Sequence, residues 1–235
     1  MSEVLRTLKK SRFWIYAGSV VMLDFAWLYI VNGNIFIYKR SFINLFLLPK
    51  VYTVNMVGFL LPIVPLLFIF SKSVKEDYNG VKYCMVMALS APVMLAFAYL
   101  AELLLYWVID PSVKTLAFPP SGLFSSVLET NPIGYIFLYI VHICVWGYVL
   151  TLFGLAVYQR TKNEFYAVVM AFLLSRFSSY IPVVFCNIKV SVLSYIVPQL
   201  PYEISQMEDN CYTGMMQVLV VFIVSIILMM VKRSN

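Results

Sequence analysis

Long apolar runs separated by short polar stretches dominate the chain. Six of them follow one another, at residues 13–33, 51–71, 83–109, 132–158, 164–186 and 213–231. Each is close to or above the roughly 20 residues with which a helix crosses a bilayer, and none alternates polar and apolar positions as a barrel strand does. Because a helix satisfies its own backbone hydrogen bonds in lipid, the pattern predicts an all-α fold: a polytopic transmembrane helical bundle with six spans. Little chain remains outside the spans, so residues 1–235 are expected to form a single transmembrane domain.

Composition supports a membrane protein. Hydrophobic residues make up 62% of the chain and charged residues 12%, and a soluble core does not absorb that much apolar surface. We therefore expect a multi-pass protein of the plasma membrane, in contact with the lipid bilayer. The net charge of +6 suits anionic lipid, and no nucleic-acid partner is expected because no sizeable soluble segment exists to bind one. The first apolar run is too long for a cleavable signal peptide and is expected to remain as a span.

The distribution of basic residues predicts the orientation. Six spans place both termini on one side, and that side has eleven of the lysines and arginines, whereas the other side has five. Positive residues favour the cytoplasm, so both the N and C termini are predicted to be cytoplasmic. The pair Lys39 and Arg40 runs against this majority. Residues 1–12 interleave apolar and basic positions, which predicts an interfacial N-terminal helix; a disordered basic tail is the alternative.

The segments between the spans differ in character. Residues 72–82 concentrate many of the few charges and are predicted to form a cytoplasmic loop. Segments 110–131 and 187–212 are predicted to be extracellular, and the second resembles a re-entrant or interfacial hairpin because its apolar stretches are too short to cross the bilayer. Cys186 and Cys211 bracket this hairpin, so they form either a disulfide across it or two free thiols.

Four ionisable residues interrupt the predicted spans, namely Asp24, Glu102, His142 and Arg176. Each costs about 2.5–3.5 kcal/mol at the bilayer centre unless it is paired or hydrated. One interpretation is a polar path through the bundle. The favoured one is an ion pair of Asp24 or Glu102 with Arg176 that locks the bundle, with His142 as a hydrogen-bonded packing residue. No metal site is predicted, because the chain has a single histidine and its four cysteines include no CxxC pair.

An intramembrane peptide-processing enzyme is a competing class. It would use Glu102, or His142 with Ser178 or Ser179, but no GxSxG context surrounds those serines. Cys144 lies two residues from His142 and so would not face it on a helix. No catalytic residue is therefore predicted. A non-catalytic scaffold or sensor subunit of a membrane complex is a further alternative.

Prolines inside three of the runs predict bends in the spans. Pro62 and Pro65 lie in the second run, Pro92 in the third and Pro182 in the fifth. Each removes a backbone N–H, and its ring clashes with the preceding turn of a helix. Such bends serve gating in some membrane bundles and are simply tolerated in others.

The order of these segments resembles that of the permease subunits of type-2 ATP-binding-cassette exporters, and most closely the small permeases of Gram-positive bacteria that serve lantibiotic immunity or peptide export. The shared plan is an interfacial helix, six spans with inner termini, a charged loop after the second span and a re-entrant segment before the sixth. The stretches that carry the resemblance are LLPIVPLLFIFSKSVKEDYNGVKY (60–83), FPPSGLFS (118–125), NPIGYIFLYI (131–140) and YQRTKNEFYAVVMAFLL (158–174).

The resemblance implies a function and partners. In that family the loop after the second span docks on a separate cytoplasmic ABC ATPase subunit, and Gly80 would then end the docking helix. The docking positions would be Lys72, Lys75, Glu76, Asp77 and Tyr78. The chain has no GxxxxGK[ST] motif, so ATP and Mg²⁺ would bind to the partner, and this chain needs no cofactor of its own. A second permease would complete a homodimer or heterodimer. The expected activity is export of an amphiphilic substrate, either a peptide antibiotic or a lipid-like molecule, and the chain itself is not an enzyme.

Overall fold

The computed structural model describes residues 14–19, 21–22, 26, 41–43, 46, 63–71, 80–112, 127, 130–177 and 211–231. Side chains are described for all of these except 71, 176–177 and 211–217. This part of the chain is mostly helical and contains no β-strand, which confirms the predicted all-α class. Its main helices are α1 (Val64–Ser71), α2 (Val81–Ala88), α3 (Ser90–Ile109), α4 (Pro132–Thr161), α5 (Glu164–Phe177) and α6 (Cys211–Met230).

Two helical stretches of the described chain are long and apolar enough to cross a membrane. They are Val81–Ile109, of 29 residues, and Pro132–Thr161, of 30 residues. They correspond to the third and fourth predicted spans, with the third starting two residues earlier and the fourth ending three residues later than predicted. Residues 81 and 82 therefore belong to a helix and not to the predicted loop. The number of spans and the side of the termini stay predictions.

The outer face of α3 is apolar as well as exposed. Leu104, Trp107 and Val108 are 62%, 52% and 74% exposed. The core helix of a soluble protein would bury such residues, whereas lipid covers them without cost. This face therefore supports a membrane environment for α3.

The third predicted span is interrupted at Leu89, between α2 and α3. Its amide donates to the Val86 carbonyl at 3.2 Å instead of continuing the α-helical pattern. Pro92 lies three residues further on, where it has no N–H for the Ala88 carbonyl and its ring crowds the preceding turn. The Ser90 hydroxyl donates to the Met87 carbonyl at 2.7 Å and so supports the altered turn. Pro65, in contrast, lies in the first turn of α1, where a missing N–H costs nothing; Pro62 and Pro182 lie outside the described residues.

Helix α4 is the centre of the described bundle, because it contacts each of the other five helices. Its start is specified locally: Asn131 accepts a hydrogen bond from the Gly134 amide at 3.0 Å, and Pro132 follows at the first helical position. It ends at Lys162, which adopts a left-handed conformation with φ of 53°. Asn163 then caps α5 by accepting from the Tyr166 amide at 3.2 Å. This short connection makes α4 and α5 an antiparallel pair.

Candidate functional site

The described structure covers the predicted site residues unequally. The backbones of Arg176 and Cys211 lie in α5 and α6, and Glu102 and His142 are described in full. The remaining predicted positions lie outside the described residues: Asp24, Lys72, Lys75, Glu76, Asp77, Tyr78 and Cys186. The choice between a disulfide and free thiols at Cys186 and Cys211 therefore stays open, and the ATPase contacts stay predictions.

Glu102 lies in the interior of the bundle, on α3. Its side chain is 1% exposed, and Tyr99 and Tyr106, one turn away on either side of the same helix face, are 2% and 0% exposed. A buried carboxylate in a span is a functional candidate because burial of its charge is costly. The polar atoms of this face are thus concentrated in two adjacent turns.

Two contacts determine how α3 and α4 are aligned. The rings of Tyr99 and Tyr139 have centroids 6.1 Å apart in an edge-to-face arrangement. The Cys144 thiol donates to the Pro92 carbonyl at 3.4 Å. Residue numbers rise along α3 as they fall along α4, so the helices are antiparallel. Counting from the two contacts places Glu102 at the level of residues 136 and 134, on either side of Tyr135, which is itself 2% exposed.

A third aromatic ring packs against Tyr99 and Tyr139. We call these rings, together with Glu102, the layer around Glu102. Phe46 lies 6.1 Å from Tyr99 and 6.1 Å from Tyr139, centroid to centroid, so the three rings form a triangle of edge-to-face pairs. Each such pair contributes about 0.5–1.5 kcal/mol beyond its burial. Phe46 and Ile43 are both fully buried. The described residues between the first two predicted spans, 41–43 and 46, are therefore buried in the bundle.

Sequence reasoning missed this inserted segment. Tyr139 lies seven residues into α4, so the triangle is about 10 Å inside the end of that helix. The signal was present as SFINLFLL at residues 41–48, an apolar run flanked by Arg40 and Lys50. At eight residues it is too short to cross a bilayer, so it was not counted as a span.

The favoured ion pair of Glu102 with Arg176 stays a prediction. Glu102 is described in full, whereas only the backbone of Arg176, in α5, belongs to the described chain. The alternative partner, Asp24, lies outside the described residues.

His142 is offset from Glu102. It lies seven residues from Tyr135 along α4, which is about 10 Å along the axis. Within the described chain no three His, Cys, Asp or Glu side chains come together as a metal site.

A second region lies at the other end of α4, where three consecutive residues contact three different helices. We call Tyr158, Gln159 and Arg160 the helix-end joint. Consecutive positions on a helix point about 100° apart, so neighbours in sequence face different partners. The three partner helices are α1, α2 and α6. Each is contacted near the end that lies beside the joint.

Arg160 binds the C-terminal turn of α6. Its Nε donates to the Leu228 carbonyl at 2.7 Å, and its Nη2 donates to the Val231 carbonyl. The last carbonyls of a helix lack intrahelical partners and have partial negative charge, so a guanidinium satisfies them in both respects. Arg160 thereby fastens the end of α6 to the end of α4.

Gln159 and Tyr158 hold the two helices on either side of the charged loop. The Gln159 side-chain amide donates to the Cys84 sulfur of α2 at 3.1 Å. The Tyr158 ring packs against Phe70 of α1 with centroids 5.1 Å apart. One turn earlier on both helices, the Leu66 side chain fills the space where a Cβ on Gly154 would lie. Helices α1 and α4 therefore run parallel in close contact over two turns.

The charged loop is consequently attached at both ends to helices that contact the joint. Helix α1 ends at Ser71, and Gly80 precedes α2 with φ of 110°, a conformation that only glycine adopts easily. Gly80 is thus the N-cap of α2 in the described structure; a helix ending at Gly80 would lie in residues 72–79, outside the described chain. Both attachment points of the loop belong to helices that the joint contacts.

Comparison with known proteins adds no relative to this picture. No protein-family model, curated protein or solved structure matches the chain. A function is therefore inferred from the resemblance in segment order and from the two regions described above.

Proposed function

We propose that the chain is the permease subunit of an ATP-driven ABC exporter of the type-2 kind. It spans the membrane six times with both termini in the cytoplasm and exports an amphiphilic substrate, either a peptide antibiotic or a lipid-like molecule. The observation that carries the proposal is that the two helices flanking the charged loop, α1 and α2, both contact the helix-end joint. A loop transmits force from a bound motor only if its ends are attached to the helices that must move.

The arrangement of helix ends supports the proposed orientation. At the joint, α1, α4 and α6 end while α2 and α5 begin. This is the pattern expected at the cytoplasmic side of a six-span protein with inner termini. The described cations Lys82, Arg160 and Lys162 lie at this end, and Asp110 lies at the other. A cytoplasmic joint therefore agrees with the preference of basic residues for that side.

The layer around Glu102 supports an amphiphilic substrate. A ligand site needs mostly apolar walls with a few polar groups that fix orientation. Buried tyrosines and one carboxylate in an apolar bundle offer that combination. The substrate path would pass this layer, between the joint and the outer end of the bundle.

The proposed partners follow from two features of the sequence. It has no nucleotide-binding motif, and it has a charged loop to which a partner can bind. Without a GxxxxGK[ST] motif, ATP and Mg²⁺ bind to a separate ABC ATPase. A second permease, identical or related, provides the other half of the translocation path. Binding of the ATPase to residues 72–79 biases the bundle between inward-facing and outward-facing states.

Charge reversal in the loop tests the proposal. We expect the triple variant Lys75→Glu, Glu76→Lys and Asp77→Lys to lose the co-purifying ATPase, because each reversed side chain meets a like charge on the partner. Insertion of the permease in the membrane should be unchanged.

The matched control is Lys162→Glu, which reverses an exposed charge at the same end of the bundle and should retain the ATPase. Full retention of the ATPase by the triple variant would remove the coupling role of the loop, and with it the proposed function.

A further inference from the structure

Two exposed lysines lie together at the end of the bundle that contains the helix-end joint. The Gln159–Cys84 hydrogen bond joins α4 to α2 at this end. Lys162 lies three residues beyond the first of these partners, and Lys82 lies two residues before the second. Because α4 ends and α2 begins here, both lysines are about 3–5 Å beyond the contact, at nearly the same level. The charge of Lys162 is close enough to act on the Cys84 thiol, so the two ammonium groups can reach the same anion.

Neither ammonium group is used to hold the described bundle together. The side chains of Lys82 and Lys162 are exposed, and they form no hydrogen bond or ion pair with the described part of the chain. Arg160, in contrast, donates to two carbonyls of α6. Glu164 is the carboxylate that the structure describes at this end, and it is exposed as well. The lysine pair therefore keeps a net positive charge that faces outward.

The turn that contains Lys162 does not depend on the lysine side chain. Its φ of 53° is the one positive φ of a non-glycine residue in the described chain, and helices commonly place glycine at such a position. The turn is held by its neighbours. The Thr161 hydroxyl donates to the Val157 carbonyl at 3.0 Å and accepts from the Asn163 amide at 3.2 Å. The ammonium group of Lys162 is thus available to an external ligand.

Two exposed aromatic rings lie beside the lysines, in the first turn of α5. Phe165 and Tyr166 are 72% and 57% exposed, and their rings are edge to face with centroids 6.3 Å apart. Exposure of such rings to water is unfavourable, whereas aromatic side chains are enriched at the level of lipid headgroups. The stretches Val81–Ile109 and Pro132–Thr161, which are long and apolar enough to cross a membrane, each have one end here. In a membrane, this basic and aromatic surface would therefore lie among the headgroups.

We propose that this surface binds an anionic phospholipid: Lys82 and Lys162 bind the headgroup phosphate, and Phe165 and Tyr166 pack beside the upper part of the acyl chains. Charge complementarity selects this occupant, because basic side chains at a membrane surface attract lipids with net negative charge and not zwitterionic ones. The inference involves neither the ATPase nor the exported substrate, so its test is independent of the proposed function.

Lipid binding to the purified full chain tests this site. The chain in detergent is titrated with phosphatidylglycerol or with phosphatidylcholine of the same acyl chains, and the bound lipid is measured by native mass spectrometry. We expect the chain to bind phosphatidylglycerol more tightly. Inorganic phosphate at the same concentration should not displace the lipid, because it has no acyl chains to pack against the aromatic rings.

Three variants separate the contribution of charge from that of folding. Lys162→Gly removes the ammonium group but suits the turn, since glycine adopts a positive φ easily. The affinity for phosphatidylglycerol should fall about fivefold while the unfolding temperature is not lowered. Lys82→Gln should reduce this affinity by a similar factor, and Glu164→Gln should raise it by removing the opposing charge. Binding of phosphatidylcholine should be unchanged in all three.

The matched control is Lys114→Gln, which removes one positive charge at a predicted outer position and should keep the parental affinity. Equal binding of the two lipids by the parent protein would overturn the proposal, as would parental affinity in both lysine variants. An equal loss in Lys114→Gln would also overturn it, because that result reports general charge attraction. Displacement of the lipid by inorganic phosphate would show a phosphate site without a lipid requirement and would contradict the proposed occupant.

Discussion

At the scale of single residues, the charge of Arg160 is directed at backbone carbonyls of another helix. Its two acceptors, on Leu228 and Val231, are the groups that the end of α6 leaves unsatisfied. The side-chain amide of Gln159 likewise donates a hydrogen bond to the sulfur of Cys84, which lies 75 positions away in the sequence. The polar side chains at this end thus connect helices to one another.

Replacement of Arg160 tests this role. We expect Arg160→Gln to destabilise the bundle by about 1.5–3 kcal/mol, because it removes hydrogen bonds made by a charged donor and leaves two carbonyls of α6 without it. Arg160→Lys should destabilise the bundle less, since lysine keeps the positive charge but lacks the planar guanidinium that donates to both carbonyls. The measurement is thermal unfolding of the detergent-purified chain.

The control for Arg160 is Lys162→Gln, which removes an exposed positive charge from the same end and should shift the unfolding temperature little. Equal stability of Arg160→Gln and the parent protein would contradict the assigned role.

At the scale of elements, close approach between helices depends on small residues at the contact. Gly154 allows Leu66 of α1 to lie against the α4 backbone, and the Phe70–Tyr158 pair follows one turn later. Small residues are favoured at such contacts in membranes because they let backbones approach and pack closely. The close packing of α1 on α4 therefore depends on a position that has no side chain.

Addition of a methyl group at this position should separate the two helices. Gly154→Ala brings a Cβ into the space of Leu66, so we expect a loss of about 1–3 kcal/mol in thermal unfolding. Leu66→Ala in the same chain should recover part of that loss, and the double-mutant cycle measures the coupling.

The matched control for Gly154→Ala is Gly18→Ala, where an added Cβ would meet no described atom within 4 Å. The close contact would not stabilise the packing of α1 on α4 if Gly154→Ala left the unfolding temperature unchanged, or if the effects of Gly154→Ala and Leu66→Ala were additive.

At the scale of the whole molecule, polar groups lie at two distant levels. The joint is at one end of α4, and the layer of Glu102, Tyr99 and Tyr139 begins about 10 Å inside the other end. Under the proposed function, the first level receives force from the ATPase and the second contacts the substrate. Helix α4, which contacts all five other described helices, connects the two levels.

The sidedness of the bundle is measurable. Lys75→Cys should resist a membrane-impermeant maleimide added to intact cells, because we place the joint and the charged loop in the cytoplasm. Lys114→Cys, on the opposite predicted side, should be modified. Modification of Lys75→Cys from outside would reverse the orientation and exclude an ATPase at this loop.

Most of the helical organisation in the described chain was predictable from the apolar runs. Predicted spans 83–109 and 132–158 correspond to Val81–Ile109 and Pro132–Thr161. The caps at Asn131 and Asn163 have ordinary sequence signals. Of the candidate sites, Glu102 was found from sequence because a charge in a span is conspicuous.

Other features were not predictable for identifiable reasons. The ion pair of Glu102 with Arg176 stays a prediction, because charge alone does not report how far along a bundle two residues lie. The insertion of Phe46 was missed because its apolar run is shorter than a span. Burial of Phe46 depends on a space beside Tyr99 and Tyr139, which belong to other helices.

The amino-acid sequence by itself determined that the described segments are helices and roughly where they begin and end, because backbone groups in lipid must be satisfied within each segment. Only the tertiary structure decided that Tyr158, Gln159 and Arg160 meet three different helices. Such contacts join residues 68 and 75 positions apart, and they depend on the alignment and rotation of packed helices, which hydrophobic periodicity does not specify.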